Sequence, residues 1–196
     1  MNDPAILASI TAFFQRVANP PAKEIAHFVA QGKVRGLESG ASFCHLGQTQ
    51  HEVAFIKTGI VRYFVTLPTG DEASKDFSAA GGFTLSFGSA TAKLPAQVAI
   101  AAVMPTELVV WPYQLLQDLY ASGLEWQKLG RRMAEILYIR KEQRELSFLL
   151  SDAPARYQRF LDQFGAHAEQ IPQYYIASYL GIQPQSLSRI RKKLIS

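Results

Sequence analysis

The sequence predicts an α+β protein: an antiparallel β-roll (a double-stranded β-helix or jelly roll) with flanking helices, then a long helix and a C-terminal helix-turn-helix that lacks a full wing. Three observations support this prediction. Apolar residues recur at helical spacing at both ends of the chain. The middle of the chain instead alternates short β-branched and aromatic stretches with Gly or Pro. The segment 171–194 consists of two amphipathic stretches joined at a glycine.

The N-terminal region, residues 4–30, predicts two helices, because its apolar residues fall three or four apart on either side of a Pro-Pro pair. From about residue 33 the spacing becomes that of strands. The strongest strand signals are 53–56, 60–65, 98–103 and 108–111. Residues 68–71, Pro-Thr-Gly-Asp, are typical of a hairpin turn, since glycine adopts the positive φ that such a turn needs.

A short helix ends at Gly123, and a long helix is predicted from Leu124 to about residue 150. A long helix that leaves a compact β-domain has only part of its surface covered. Its apolar stripe therefore predicts a partner helix in a dimer, and the alternative is a helix packed wholly on its own β-domain. The expected dimer residues are Leu129, Met133, Ile136, Leu137 and Arg140. After residues 151–154 the pattern predicts a further amphipathic helix that ends at Gly165.

The segment 171–194 predicts a helix-turn-helix. Each helix carries an apolar inner face, formed by Ile176, Ala177 and Leu180 on the first and by Leu187, Ile190 and Leu194 on the second. Gly181 can adopt the positive φ that ends the first helix. Ile182 fills the corner, and Pro184 suits the first position of the second helix. The alternative is an ordinary surface αα-hairpin.

The outer face of the second helix is polar and basic, with Gln185, Ser188, Arg189 and Lys192 at helical spacing. Amide and guanidinium groups can read base edges in the major groove, and cations contact phosphates. We expect Arg189 and Gln185 to read bases, and serines to contact bases or backbone. The expected DNA-binding set is Gln183, Gln185, Ser186, Ser188, Arg189, Arg191, Lys192 and Lys193.

Composition and charge fit this prediction. The 196 residues are 48% hydrophobic and 18% charged, which is ordinary for a globular protein. Residues 1–150 contain 14 Lys or Arg against 13 Asp or Glu, whereas residues 151–196 contain 6 against 3. The local basic excess predicts a polyanionic partner. The sequence has one cysteine, Cys44, and neither a signal peptide nor an apolar run long enough for a membrane span, so we expect a cytoplasmic protein without membrane association.

This layout resembles the Crp/Fnr family of bacterial transcription regulators over nearly the whole chain. Residues 55–64 (Phe-Ile-Lys-Thr-Gly-Ile-Val-Arg-Tyr-Phe) are similar to the family's strand, glycine turn and strand, and residues 69–72 (Thr-Gly-Asp-Glu) to its next hairpin. In the C-terminal part the similar positions are Arg156-Tyr157, 177–182 and 187–190.

The resemblance implies a homodimer that binds double-stranded DNA at a near-palindromic operator, with RNA polymerase as a further candidate partner. It implies a cyclic-nucleotide-binding-like sensor domain at 1–122, a dimerisation helix at 123–150 and a DNA-binding domain at 151–196. Arg189 matches the family's base-reading arginine. Pro184 and Gln185 stand where other members have charged readers, so the operator sequence does not transfer.

The sequence departs from the family at the effector pocket. Nucleotide-binding members have Gly-Glu-Leu there, followed by an Arg and a Ser/Thr that hold the cyclic phosphate. This chain has Gly82-Phe83-Thr84-Leu85, and no arginine occurs between Arg62 and Arg131. Lysine lacks the fork that binds phosphate bidentately, so we expect no cAMP binding and no cofactor, and an unknown effector. The matching pocket residues are Phe83, Thr84, Leu85, Ser86 and Gln97.

Little sequence follows the recognition helix, so we expect no wing and phosphate contacts from the helix-turn-helix alone. Two other functions stay open: a metal-dependent cupin-like enzyme and a sensor that acts through protein partners. The first depends on His45, His51 and Glu52, whose spacing is similar to the first cupin motif. The second cupin motif has no ligand, because no histidine lies between His51 and His167, so polar loop residues are the preferred interpretation.

Two smaller questions also stay open. Cys44 is either a redox switch or, as we prefer, a buried small hydrophobe. The aromatic residues Phe77, Phe83 and Phe87 either line an apolar effector pocket or, as we prefer, form the core of the roll.

Overall fold

The structure is a computed structural model that describes residues 3–195 of the protein. The helices and strands, in chain order, are α1 (Pro4–Gln15), α2 (Ala22–Ala30), β1 (Lys33–Leu37), β2 (Ser42–Cys44), β3 (Glu52–Thr58), β4 (Ile60–Thr66), β5 (Glu72–Ala79), β6 (Phe83–Thr84), α3 (Phe87–Ala92), β7 (Ala99–Ala102), β8 (Thr106–Pro112), α4 (Tyr113–Ser122), α5 (Leu124–Leu150), α6 (Ala153–Phe164), α7 (Gln173–Leu180) and α8 (Pro184–Ile195). A 3₁₀ turn, Gly165–Gln170, joins α6 to α7.

The β-roll consists of two four-stranded sheets in which every strand pair is antiparallel. One sheet has the order β1-β8-β3-β6 and the other β2-β7-β4-β5. Side chains between the sheets, such as Ile56, Ile100 and Leu108, have no exposed surface. The predicted α+β class and antiparallel roll are confirmed, and the sheets do not close into a barrel.

The predicted hairpin turn joins β4 to β5. Thr66 pairs with Glu72 across the hairpin. The Leu67 N–H donates to the Asp71 carbonyl at 2.8 Å, and Gly70 has a φ of +86°. The glycine is needed here because an L side chain rarely adopts that conformation. The turn at 68–71 is therefore confirmed.

Helices α1, α2 and α4 and the start of α5 pack together beside the first sheet. Their shared cluster contains Phe28, Phe55, Trp111 and Trp126, each no more than 2% exposed. Trp111 stacks on Phe28 with ring centroids 4.5 Å apart, and its Nε1 donates to the Phe28 carbonyl at 2.7 Å. The two predicted N-terminal helices thus cover one face of the roll.

Helix α5 has 27 residues, which gives a length of about 40 Å. Its first part packs on its own roll: Leu129 is 1% exposed, and Met133 packs against the same cluster. Leu129 is therefore too buried to face a partner helix, whereas Met133 is only partly buried and its place in a dimer stays a prediction. Leu129 is buried because α4 and α1 already cover this part of the helix. Ile136 and Leu137 are 49% and 40% exposed.

Arg140 also faces the roll. Its Nη2 lies 2.7 Å from Asp76 Oδ1 and donates to the Phe77 carbonyl at 3.3 Å. The side chain therefore ties α5 to β5 of the same chain. Among the described residues, no helix is long and apolar enough to cross a membrane.

Helices α6 and α7 share an apolar cluster with the roll. Phe77 of β5 has no exposed surface and packs edge-on against Phe160 and Phe164 of α6, with centroid distances of 6.2 and 5.7 Å. Ile60 and Val103 belong to the same cluster. Phe77 thus lies at the junction of roll and C-terminal helices, and neither lines an effector pocket nor belongs to the centre of the roll.

Candidate nucleic-acid interface

The first helix of the helix-turn-helix is α7, and three side chains anchor it. Ile176, Ala177 and Leu180 are each at most 2% exposed, as the spacing predicts. Tyr179, which the spacing did not predict as an anchor, is also buried at 7% exposure. Four of the eight residues of α7 are therefore buried, so packing holds this helix against its neighbours.

The turn after α7 depends on Gly181. This residue is left-handed, with φ +67° and ψ +36°, and its N–H donates to the carbonyls of Ala177 and Ser178. A Cβ at this position would lie 2.9 Å from Cε1 of Phe148 on α5. Glycine is needed both for its conformation and for the close approach of α5.

The second helix, α8, begins at Pro184, and the Gln183 carbonyl accepts the N–H groups of Ser186 and Leu187 at 2.9 and 3.2 Å. Leu187 has no exposed surface, and Ile190 packs against the same cluster. Leu194, expected on the inner face, is 53% exposed. That prediction is wrong because the last turn of α8 extends beyond the residues that cover its first turns.

The outer face of α8 is open to solvent. Most of the predicted DNA-binding side chains are exposed, and only Arg191 is half-buried; the exposed ones are Gln183, Gln185, Ser186, Ser188, Arg189, Lys192 and Lys193. Within residues 3–195, no acidic side chain pairs with Arg189 or Lys192. The helix itself contains no Asp or Glu. Arg189 and Lys192 can therefore approach a polyanion without displacing an ion pair to another side chain of the described residues.

Two arginines hold the C-terminal end of α7. Arg144 Nη2 donates to the Tyr179 carbonyl at 2.9 Å, and Arg156 Nε donates to the Leu180 carbonyl at 3.2 Å. Both guanidinium groups also lie over the ring of Phe148, at 4.8 and 5.1 Å from its centroid. They satisfy terminal carbonyls and oppose the negative end of the helix dipole. The contact of Arg144 with α7 could not be predicted, because a charged residue on a long helix carries no local signal for it.

The predicted effector-pocket residues have different surroundings in the structure. Phe83 stacks on Phe14 with centroids 5.5 Å apart, and it lies 5.2 Å from Phe55. Thr84 is fully buried, with its hydroxyl 2.7 Å from that of Tyr63. The others differ in their surroundings: Leu85 packs with the α1–α2 cluster, Ser86 is 9% exposed and Gln97 is exposed. Two clefts, one beside α5 and one beside β1, are lined by none of the five.

The remaining candidates fall outside a common site. Phe87 is 44% exposed, so it is not part of the roll's core. Cys44 is 3% exposed, and burial raises the pKa of its thiol, which favours the unreactive protonated form. Arg35 holds the Glu52 carboxylate with two hydrogen bonds of 2.8 and 2.7 Å. Across residues 3–195, no three His, Cys, Asp or Glu side chains cluster as metal ligands would.

The fold is shared with solved structures of bacterial regulators. No family model and no curated protein matches the sequence. FixK2 from Bradyrhizobium japonicum superposes with a TM-score of 0.72 at 17% identity, over 83% of this chain and 84% of that one. The c-di-GMP responsive regulator CLP from Xanthomonas campestris gives 0.67 at 17% identity, over 89% and 91%. The Thermus thermophilus catabolite activator protein gives 0.56 at 20% identity, over 90% and 84%.

These three proteins are Crp/Fnr family regulators. Each superposition covers the greater part of both chains. The identities are too low to transfer residue roles. The chain therefore has the fold of the Crp/Fnr regulators, as the resemblance of its sequence motifs predicted.

Proposed function

We propose that the protein is a sequence-specific DNA-binding transcription regulator of the Crp/Fnr type. The observation that carries the proposal is the open face of α8: Gln185, Ser188, Arg189 and Lys192 are exposed, while Leu187 on the opposite face is fully buried. A helix held in this way can enter a major groove with forked and amide side chains directed at base edges. The proposal requires binding alone and no catalytic residue.

The proposed active form is a homodimer built on α5. Beyond residue 135 this helix exposes eight apolar or aromatic side chains, between 40% and 80% exposed: Ile136, Leu137, Tyr138, Ile139, Leu146, Phe148, Leu149 and Leu150. An exposed apolar surface of this extent favours a partner helix. Two copies would place their α8 helices in successive major grooves about 34 Å apart, on a near-palindromic operator. Light scattering of the purified protein measures whether the dimer exists.

We further propose that the roll does not bind a cyclic nucleotide. Phe83 lies in the segment that matches the family's Gly-Glu-Leu, and its ring packs against Phe14 and Phe55. The sequence contains no arginine between Arg62 and Arg131 that could hold a phosphate. Calorimetry with cAMP measures this directly. No heat of binding is expected, and micromolar affinity would contradict the proposal.

The DNA proposal is tested by selecting bound fragments from random duplex DNA and reading out the palindrome. With that operator, Arg189→Ala should reduce the discrimination between operator and random DNA by about 1–3 kcal/mol. Lys192→Ala should weaken binding to both DNAs and lower the salt slope by about one. Lys23→Ala, which removes an exposed cation from α2, is the control and should change neither. An equal loss on both DNAs for Arg189→Ala would exclude a base-reading role.

A further inference from the structure

We propose that Arg62, in strand β4 of the roll, is a positioning residue that sets the orientation of the helix-turn-helix. This inference rests on the proposed function. Arg62 does not touch DNA in the proposed complex. It acts through α7, and through the turn at Gly181 it determines where α8 lies relative to α5.

Arg62 is buried although it carries a charge. Its side chain is 4% exposed, whereas arginine is almost never buried unless it is paired. The guanidinium carbon lies 3.7 Å from the ring centroid of Tyr175 on α7 and 4.2 Å from that of Phe64 on β4. Nη2 donates to the Glu72 carboxylate, and Nη1 lies 3.5 Å from the Ser74 hydroxyl. One side chain therefore joins β4, β5 and α7.

The same junction includes the free edge of a sheet. β5 is the last strand of its sheet, and an edge strand leaves backbone groups without a strand partner. Ser178 of α7 supplies one, because its hydroxyl accepts the Ser74 N–H at 2.9 Å and lies 3.4 Å from the Glu72 carbonyl. α7 is therefore seated on β5 beside Arg62.

Fixing the angle of α7 relative to the roll requires directional contacts at this junction. In the apolar part of the junction, Phe77 packs against α6. Burial of apolar surface stabilises this contact but does not favour one particular angle between the roll and the helices. The guanidinium stack and the hydrogen bonds of Arg62 and Ser178 have defined geometry. When Arg62 is lost, α7 should stay near the roll but occupy a range of angles. In a dimer, that range changes the distance between the two α8 helices.

The experiment measures the preferred spacing between operator half-sites. The full-length protein is titrated with duplexes that carry the selected half-sites at spacings from two base pairs shorter to two base pairs longer than the selected one. Arg62→Met keeps an apolar stem and removes the charge and the planar fork. We expect the preference for the best spacing to fall by about tenfold, while the preference for the half-site sequence stays unchanged.

The matched control is Arg35→Met. Arg35 belongs to the same roll and also pairs with a glutamate, Glu52, but its hydrogen bonds and its ring contact with Phe43 involve no residue of α7. It should leave the spacing profile unchanged. If Arg62→Met does not fold, Tyr175→Leu removes the stack from the α7 side and decides the question. Arg62→Lys, which keeps the charge without the planar fork, should give an intermediate profile.

The outcomes separate the inference from the proposed function. If Arg62→Met, or Tyr175→Leu in its place, melts at a lower temperature and keeps the wild-type spacing profile, Arg62 only stabilises the roll and the inference is overturned. If the wild-type protein shows no preference for any duplex, the proposed function fails, and the inference fails with it.

Discussion

Replacing Gly181 by alanine should destabilise the protein through two separate effects. The first is conformational, because the left-handed φ of +67° and ψ of +36° at this residue is unfavourable for any residue with a Cβ. The second is steric, because that Cβ would lie 2.9 Å from Cε1 of Phe148. One substitution therefore tests both reasons for the glycine.

The expected magnitude follows from these two effects. A left-handed conformation costs alanine about 1–2 kcal/mol relative to glycine. Phe148 is 42% exposed, so its ring can move away from the new methyl group. An off-rotamer side chain costs about 0.5–1.5 kcal/mol. The free energy of unfolding should therefore fall by about 1.5–3.5 kcal/mol, the sum of the two ranges.

Urea denaturation followed by far-UV circular dichroism measures this change. Four proteins are compared at one protein concentration, since dimerisation would make stability depend on concentration. They are the wild type, Gly181→Ala, Phe148→Ala and the double variant. Without the Phe148 ring the steric effect disappears, so Gly181→Ala should cost about 0.5–1.5 kcal/mol less in the Phe148→Ala background than in the wild type.

Two results would refute this reasoning. If Gly181→Ala costs the same with and without the Phe148 ring, the steric part is wrong. If it costs nothing in either background, the turn does not require a left-handed residue in solution. Gly181→Asn gives an independent check, because asparagine tolerates the left-handed region but keeps the Cβ.

Two further predictions concern the junction between the roll and the C-terminal helices. Phe77→Ala should lower the free energy of unfolding by about 3–5 kcal/mol and weaken DNA binding, measured by urea denaturation and fluorescence anisotropy. Phe28→Ala, equally buried but in the α1–α2 cluster, should lower only stability, and equal DNA-binding losses would count against a junction role. Burial raises the pKa of Asp76 although Arg140 opposes the shift. The stability of the wild type relative to Asp76→Asn should therefore decrease as pH rises from about 4 through the folded-state pKa. A relative gain over that interval, in urea titrations at several pH values, would contradict it.

Most helices and the principal strands could be predicted because local spacing determines them. The helix-turn-helix is the clearest case: Ile176, Ala177 and Leu180 fall at helical spacing, and Gly181 ends the helix within the same short segment. β3, β4 and β8 are rich in β-branched and aromatic residues, and β7 is a short apolar segment whose four residues are all buried. In these segments the residue types and the fold agree.

Strands with weak local signals could not be predicted. β1 is exposed at four of its five positions, so it lacks the alternation of a half-buried strand. β5 reads Glu-Ala-Ser-Lys-Asp-Phe-Ser-Ala and contains no β-branched residue. Pairing with β4 across the Gly70 turn places it in the sheet. For such strands the neighbouring strand, rather than intrinsic propensity, decides the structure.

Contacts between residues that are far apart in the sequence could not be predicted either. Ser74 and Ser178 are 104 positions apart, and neither residue type signals a partner. Arg62 lies inside a motif that resembles the family, yet its stack on Tyr175 depends on how α7 docks. Leu194 was wrongly predicted to be buried on the inner face of α8, because helical spacing does not show where the residues that cover this face end.

The cluster around Phe77 has a consequence for modularity. Aromatic side chains from the roll and from α6 exclude water from one another, so neither half has a complete apolar surface of its own. A fragment cut at residue 150 would expose Phe77 on one piece and Phe160 on the other. The backbone amides of α6 and those of β5 should therefore exchange hydrogen with similar opening free energies, as members of one cooperative unit. In this chain, the roll and the C-terminal helices therefore could not be exchanged separately with those of another protein of this fold.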